Sequence, residues 1–101
     1  MKTISDFMKL WIDDVREAPT GYTWCKSVNE TINLLKNCFD IEVVDLDHDA
    51  GDYSSDGGDF IKVLDYMVEN NLNYPVHIHS MNPVGVENMR RLLRRFNIKE
   101  I

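Results

Sequence analysis

The stretch IEVVDLDHDAGD, residues 41–52, begins as an apolar strand and ends with Asp45, Asp47, His48, Asp49 and Asp52 crowded together. Its first half reads as a strand buried on both faces, since apolar side chains occupy both sides of the pleat. Its second half reads as the loop leaving that strand. Upstream, MKLWI (8–12) is another continuous apolar run, and it ends in Asp13-Asp14. Downstream, Val76-His77-Ile78-His79 alternates apolar side chains with imidazoles, the period of a strand. Tyr22 to Lys26 (YTWCK) has strand-forming residues and predicts a short additional strand.

Helical patterns separate these strands. Ser27-Val28-Asn29-Glu30 has the form of a capping box, and Val28, Ile32, Leu35 and Phe39 then share one face, predicting a helix over 28–38. Gly57-Gly58 breaks the chain before Asp59, and Phe60, Ile61, Leu64, Met67 and Val68 recur at helical spacing to about Asn71. Asn82 is a good N-cap and Pro83 a good first helical residue. They open a helix with Val86, Met89, Leu92, Leu93 and Phe96 inward and Arg90, Arg91, Arg94 and Arg95 outward. Residues 97–101 form a short tail or a stunted fifth strand.

Strands alternating with helices predict a three-layer α/β fold, a mostly parallel sheet of four to five strands covered on both faces. The connection between the first two strands, about nine residues, is short for a parallel crossover, so the second strand is either a compressed parallel neighbour or antiparallel. A chain of 101 residues predicts one domain, with residues 1–7 as a lead-in. With 44% apolar and 28% charged residues the composition is that of an ordinary globular protein. No apolar run approaches the ~20 residues of a membrane span, and the N-terminus lacks a signal-peptide core. A cytoplasmic protein is expected. Cys25 and Cys38 lack a CxxC spacing and read as buried apolar positions in a reducing compartment. The net charge of −6 argues against duplex DNA as a partner.

In an open parallel sheet all strands end at one edge, and ligands bind in the crevice beyond it. The first strand brings Asp13, Asp14 and Arg16 there, the third Asp45, Asp47, His48 and Asp49, and the fourth His77, His79, Ser80 and Asn82. The following loop adds Asp52, Asp56 and Asp59. So many carboxylates cannot all stay ionised at close range unless they bind protons, pair with cations or hold a metal. Carboxylate oxygens with waters suit Mg²⁺ or Mn²⁺, while the His-x-His pair is also compatible with Zn²⁺. The helix beginning at Asn82 presents free N–H groups to an anion, and Arg16, Ser80 and Asn82 could complete a phosphate cradle.

An acidic pair after the first strand, an Asp ending the third and a Ser ending the fourth resemble the phosphoacceptor site of two-component receiver domains. The lysine of standard receivers has no counterpart, and His48, His77 and His79 are foreign to them. Over Leu10 to Phe96 the segments WIDDVREAP, TWCKSVNE, LDHDAGD, GGDFIKVL and HIHSMNPVGVENM resemble more closely the receiver-like domains described as cyclic-phosphate-processing. Asp45 departs from that pattern. The resemblance implies a site that recognises or opens a cyclic phosphate on a nucleotide or RNA end.

The expected machinery is then Asp13, Asp14, Asp47 and Asp49 as metal ligands, His48, His77 and His79 as proton-transfer groups, and Arg16, Ser80 and Asn82 on the phosphate. Two other functions fit the same residues. One is a non-catalytic module that sequesters a nucleotide signal or docks on a partner protein. The other is a receiver accepting phosphate on Asp47.

Overall fold

The computed structural model describes residues 7–37 and 40–101. Its elements run β1 (Met8–Ile12), β2 (Tyr22–Cys25), α1 (Val28–Asn37), β3 (Ile41–Leu46), α2 (Ile61–Glu69), β4 (Val76–Ile78) and α3 (Pro83–Arg95), with a 3-10 turn at Gly51–Tyr53. The strands form one sheet in the order β2-β1-β3-β4, and every pairing is parallel. This is the expected receiver-like α/β fold. Beyond β4, Glu100 bridges in parallel to Val76, so the tail is a rudiment of a fifth strand. Cys38 and Phe39, the latter expected on the face of α1, lie outside the described residues.

The open question of β2 resolves as a compressed parallel crossover, in which residues 13–21 return the chain without a helix. That shortcut determines the layering. Right-handed crossovers from β2 to β3, from β3 to β4 and onward to residue 100 all advance in one direction across the sheet, so α1, α2 and α3 fall on one face. They touch in series, α1 on α2 and α2 on α3. The β1-to-β2 step runs the other way and would place its helix on the opposite face, but it has none. The expected third layer is therefore absent among the described residues.

Alternation assigns the side chains. Leu10, Ile12, Cys25, Val44, Leu46 and Val76 point to the helices and are at most 1% exposed. They meet Val28 and Leu35 of α1, Val63, Leu64 and Met67 of α2, Met89 and Leu93 of α3, and Phe60. Burying each large aliphatic side chain contributes roughly 1.5–3 kcal/mol of transfer free energy. Phe96, expected inward, is instead 45% exposed at the end of α3. The four outward arginines are confirmed: Arg90 pairs with Glu100, Arg91 and Arg94 with Glu87, and Arg95 lies over the Phe96 ring.

The face that carries no helix among the described residues has two cross-sheet rows set by strand register. Tyr22, Lys9 and Val43 form one. Trp24, Trp11, Asp45 and His77 form the next, nearer the C-terminal edge.

Candidate functional site

Asp13 follows β1 directly and is fully buried. Its Oδ1 accepts the backbone N–H groups of Val15 (3.0 Å) and Arg16 (2.9 Å), an Asx-type turn that folds the 13–16 loop over the edge. Two indoles fasten that loop: Trp24 Nε1 donates to the Asp13 carbonyl at 2.8 Å, and Trp11 Nε1 to the Arg16 carbonyl at 2.9 Å. Both tryptophans stand on the open face, so one row of that face supports the turn bearing the acidic pair.

His79 is the hub. Its Nδ1 lies 2.6 Å from Asp45 Oδ1 and its Nε2 lies 3.0 Å from Asp13 Oδ2. The ring stacks on Trp11 with centroids 3.8 Å apart and planes within 4°. Burial alone would lower the His79 pKa, but the carboxylates of Asp45 and Asp13 outweigh it and raise the value above 6.5. The ring is thus held at both nitrogens between two carboxylates, which favour its protonated form. Burial likewise works to raise Asp45, yet His79 and His77 prevail and lower it; His77 Nδ1 reaches the same Oδ1 at 3.0 Å. Burial on Asp13 is overcome by the amides of Arg16 and Val15 and by His79, so its carboxyl is also lowered.

Asp14 behaves oppositely. Burial and the negative charges of Asp13 and Asp47 raise its pKa. One oxygen each from Asp13, Asp14 and Asp47 lies within 4.8 Å of the others, close enough to share one cation. Gly51 closes this group from the helix side. Its φ is +53°, and a Cβ there would collide with the Asp14 carboxylate, so backbone conformation and contact both call for glycine.

The predicted residues divide into two groups. Asp13, Asp14, Asp47, His79 and, through Asp45, His77 converge as expected. Asp49 does not join the aspartate triad: it lies with His48 and Asp59 in a second, more exposed cluster. There Asp49 Oδ1 is 2.7 Å from His48 Nδ1 and also accepts from Asn82 Nδ2 at 3.2 Å. The His48 bond, with help from Asn82, lowers the Asp49 pKa despite some desolvation. The His48 ring lies against Gly85 in the first turn of α3.

Asn82 caps α3 as expected, its Oδ1 accepting from Gly85 N at 3.0 Å, and Ser80 Oγ accepts from Asn82 N at 3.1 Å. The Arg16 side chain is exposed and enters no ion pair among the described residues. Asp56 turns away from the site and accepts from Ser27 Oγ (2.6 Å) and Asn29 Nδ2 (3.1 Å) at the start of α1. Ser27 still accepts from Glu30 N at 3.1 Å, so half of the expected capping box forms and Asp56 engages the Ser27 hydroxyl.

Sequence reading missed the roles of Trp11, Trp24 and Asp45. The signal was present in the alternation: Lys9, Trp11 and Asp13 share one face, as do Val43, Asp45 and Asp47, which places an indole and a carboxylate one step below the acidic edge.

No curated protein sequence and no solved structure matches the chain. A family model does: that of the cyclic-phosphate processing receiver domain matches residues 8–95, which span every strand and helix described above. The matched span is most of the chain, so the chain belongs to the cyclic-phosphate-processing receiver domains.

Proposed function

We propose that this domain recognises a cyclic phosphate on a nucleotide or RNA end and opens it with the help of a divalent cation held by Asp13, Asp14 and Asp47. The observation that carries this reading is the juxtaposition of three converging carboxylates with His79, whose Nε2 lies 3.0 Å from Asp13 Oδ2. The triad fits a cation on its own chemistry. Asp13 spends Oδ1 on two amides and turns Oδ2 to His79, and Asp47 Oδ1 accepts from His48 N at 2.7 Å, so a shared ion would draw on Asp47 Oδ2, on Asp14 and on the remaining lone pair of Asp13 Oδ2. Because both His79 nitrogens face carboxylates, the donor set is oxygen alone, which suits Mg²⁺ or Mn²⁺ better than Zn²⁺. When bound, such an ion would polarise the phosphoryl group and acidify a water.

The chain's own residues supply the remaining chemistry. As water's oxygen bonds to phosphorus and gives up its proton to solvent, the phosphorus–oxygen bond of the ring breaks and the departing ribose oxygen takes the proton that His79 Nε2 otherwise shares with Asp13. Asp45 and Trp11 hold the imidazole in that orientation. The Ser80 hydroxyl at the mouth of α3 and Arg16 on the 13–16 loop are donors for phosphate oxygens, and Asn82 Nδ2 joins them on leaving Asp49.

The test is incubation with 2′,3′-cyclic nucleotides and RNA ending in a 2′,3′-cyclic phosphate, followed by ³¹P NMR, with Mg²⁺, Mn²⁺, Zn²⁺ or chelator. Ring opening in Mg²⁺ or Mn²⁺, lost in chelator and in His79→Ala, is the expected result. Tight binding without turnover would make the domain a sequestering module instead. Neither binding nor turnover would refute the proposal.

A further inference from the structure

We infer that the open face of the sheet is a subsite for single-stranded RNA, so that the domain acts on the end of an oligonucleotide rather than on a free cyclic mononucleotide. This rests on the function proposed above for the direction in which the chain enters. Three features of the face carry it.

The first is shape. Because no helix covers this face among the described residues, a shallow groove of about 520 Å³ lies across it, lined chiefly by Lys9, Tyr22, Val43, Asp45, His77 and Lys99. That volume is within the roughly 300–1,000 Å³ of sites that hold ligands of nucleoside size and above.

The second is chemistry. Tyr22 lines the groove with Lys9 Nζ over its ring, 5.7 Å from the centroid, so a base stacks on this ring as the flexible ammonium swings aside to a phosphate. Lys9 also faces Glu42 at 3.6 Å, an exposed pair that a phosphate can displace. Lys99 has no ion-pair partner among the described residues, and His77 is exposed on the same wall. Proteins that bind single strands combine such stacking surfaces with cations along the backbone path. Duplexes, whose bases are already stacked, gain nothing from Tyr22.

The third is continuity. Asp45 is both a wall of the groove and the partner of His79. Along β3 the groove floor at Val43 and the triad member Asp47 are four residues apart, about 13 Å of strand. A terminal nucleotide with its phosphate at the edge covers the Asp45 row, and the preceding nucleotide falls on the groove beside Tyr22.

The experiment has two arms. In the first, fluorescence anisotropy measures binding of a labelled single-stranded oligoribonucleotide with an ordinary 3′-hydroxyl, which reports on the groove without cyclic-phosphate chemistry. Wild type should bind it in preference to the matching duplex. Tyr22→Ala should weaken binding about 5- to 100-fold, and the exposed Lys99→Glu should weaken it as well, with circular dichroism confirming that both variants are folded. In the second arm, kcat/KM is compared for a cyclic-phosphate-ended oligonucleotide and a 2′,3′-cyclic mononucleotide. The oligonucleotide should be the better substrate, and Tyr22→Ala should erase that advantage while leaving the mononucleotide reaction unchanged. Loss of oligonucleotide binding in the variants without any turnover in wild type would retain the subsite and discard the enzyme reading. No single-strand binding by wild type, equal binding of duplex, or binding indifferent to both substitutions would overturn the subsite.

Discussion

Gly85→Ala should change sign with the residue at position 48. Gly85 is the third residue of α3, and alanine there gains up to about 1 kcal/mol of helix propensity. The added methyl, however, would sit 2.7 Å from Cδ2 and from Nδ1 of His48, where carbon contacts prefer about 3.5–4.0 Å, so ring or helix must yield by about 1 Å. The ring is poorly free to move: its side chain is only 15% exposed and its Nδ1 is 2.7 Å from Asp49. Overpacking of this kind costs about 1–3 kcal/mol, so in the wild-type background Gly85→Ala should be destabilising by about 0–2 kcal/mol. With His48→Ala the obstacle vanishes and the same substitution should stabilise by up to ~1 kcal/mol. Urea denaturation of the four proteins closes a double-mutant cycle, and the expected coupling is about 1–3 kcal/mol. Coupling below about 0.5 kcal/mol would refute a His48 ring lodged against the first turn of α3, and with it the separation of His48 from the aspartate triad.

The pH dependence of stability should peak between the carboxylate and imidazole ranges. Asp13 and Asp45 have pKa values lowered from 3.8, so their contribution is present above that value and is lost as pH falls through the depressed folded values. His79 is raised from 6.5, so its contribution is complete below 6.5 and is lost as pH rises through the folded value. Thermal melts in chelator should therefore show a maximum between about 4 and 6.5, and a flat profile from 5 to 9 would contradict the bonded imidazolium. Calorimetric titration with Mg²⁺ or Mn²⁺ should give one site lost in Asp14→Ala and Asp47→Ala but kept in Asp49→Ala; equal loss in all three would reunite the two acidic clusters. In a Cys38→Ser background, burial that pushes the Cys25 thiol up to about 11 should leave it unreactive toward a thiol reagent at pH 8 until the protein unfolds, and rapid native labelling would place it at the surface. Asp45→Ala removes the shared acceptor of two histidines and should destabilise by about 3–5 kcal/mol, read by guanidinium denaturation; a loss under 1 kcal/mol would show that the pair of bonds contributes little.

Local pattern determined a good deal. Apolar runs ending in aspartates located β1 and β3, the Asn82-Pro83 pair located α3, and the convergence of Asp13, Asp47 and His79 followed from parallel strands sharing an edge. These features depend on periodicity and on chain direction, both of which a sequence displays. Tertiary structure decided what a single segment cannot express. Whether residues 13–21 pass as a helix-free parallel crossover is settled by how β2 docks beside β1, and that step leaves one face of the sheet without a helix among the described residues. Whether Asp49 joins Asp47 is settled by the backbone turning after the strand, which sends adjacent carboxylates to different neighbours. The role of Asp45 depends on two histidines more than 30 positions away in the chain. A buried carboxylate is tolerable only with such partners, and their proximity is a property of the folded sheet.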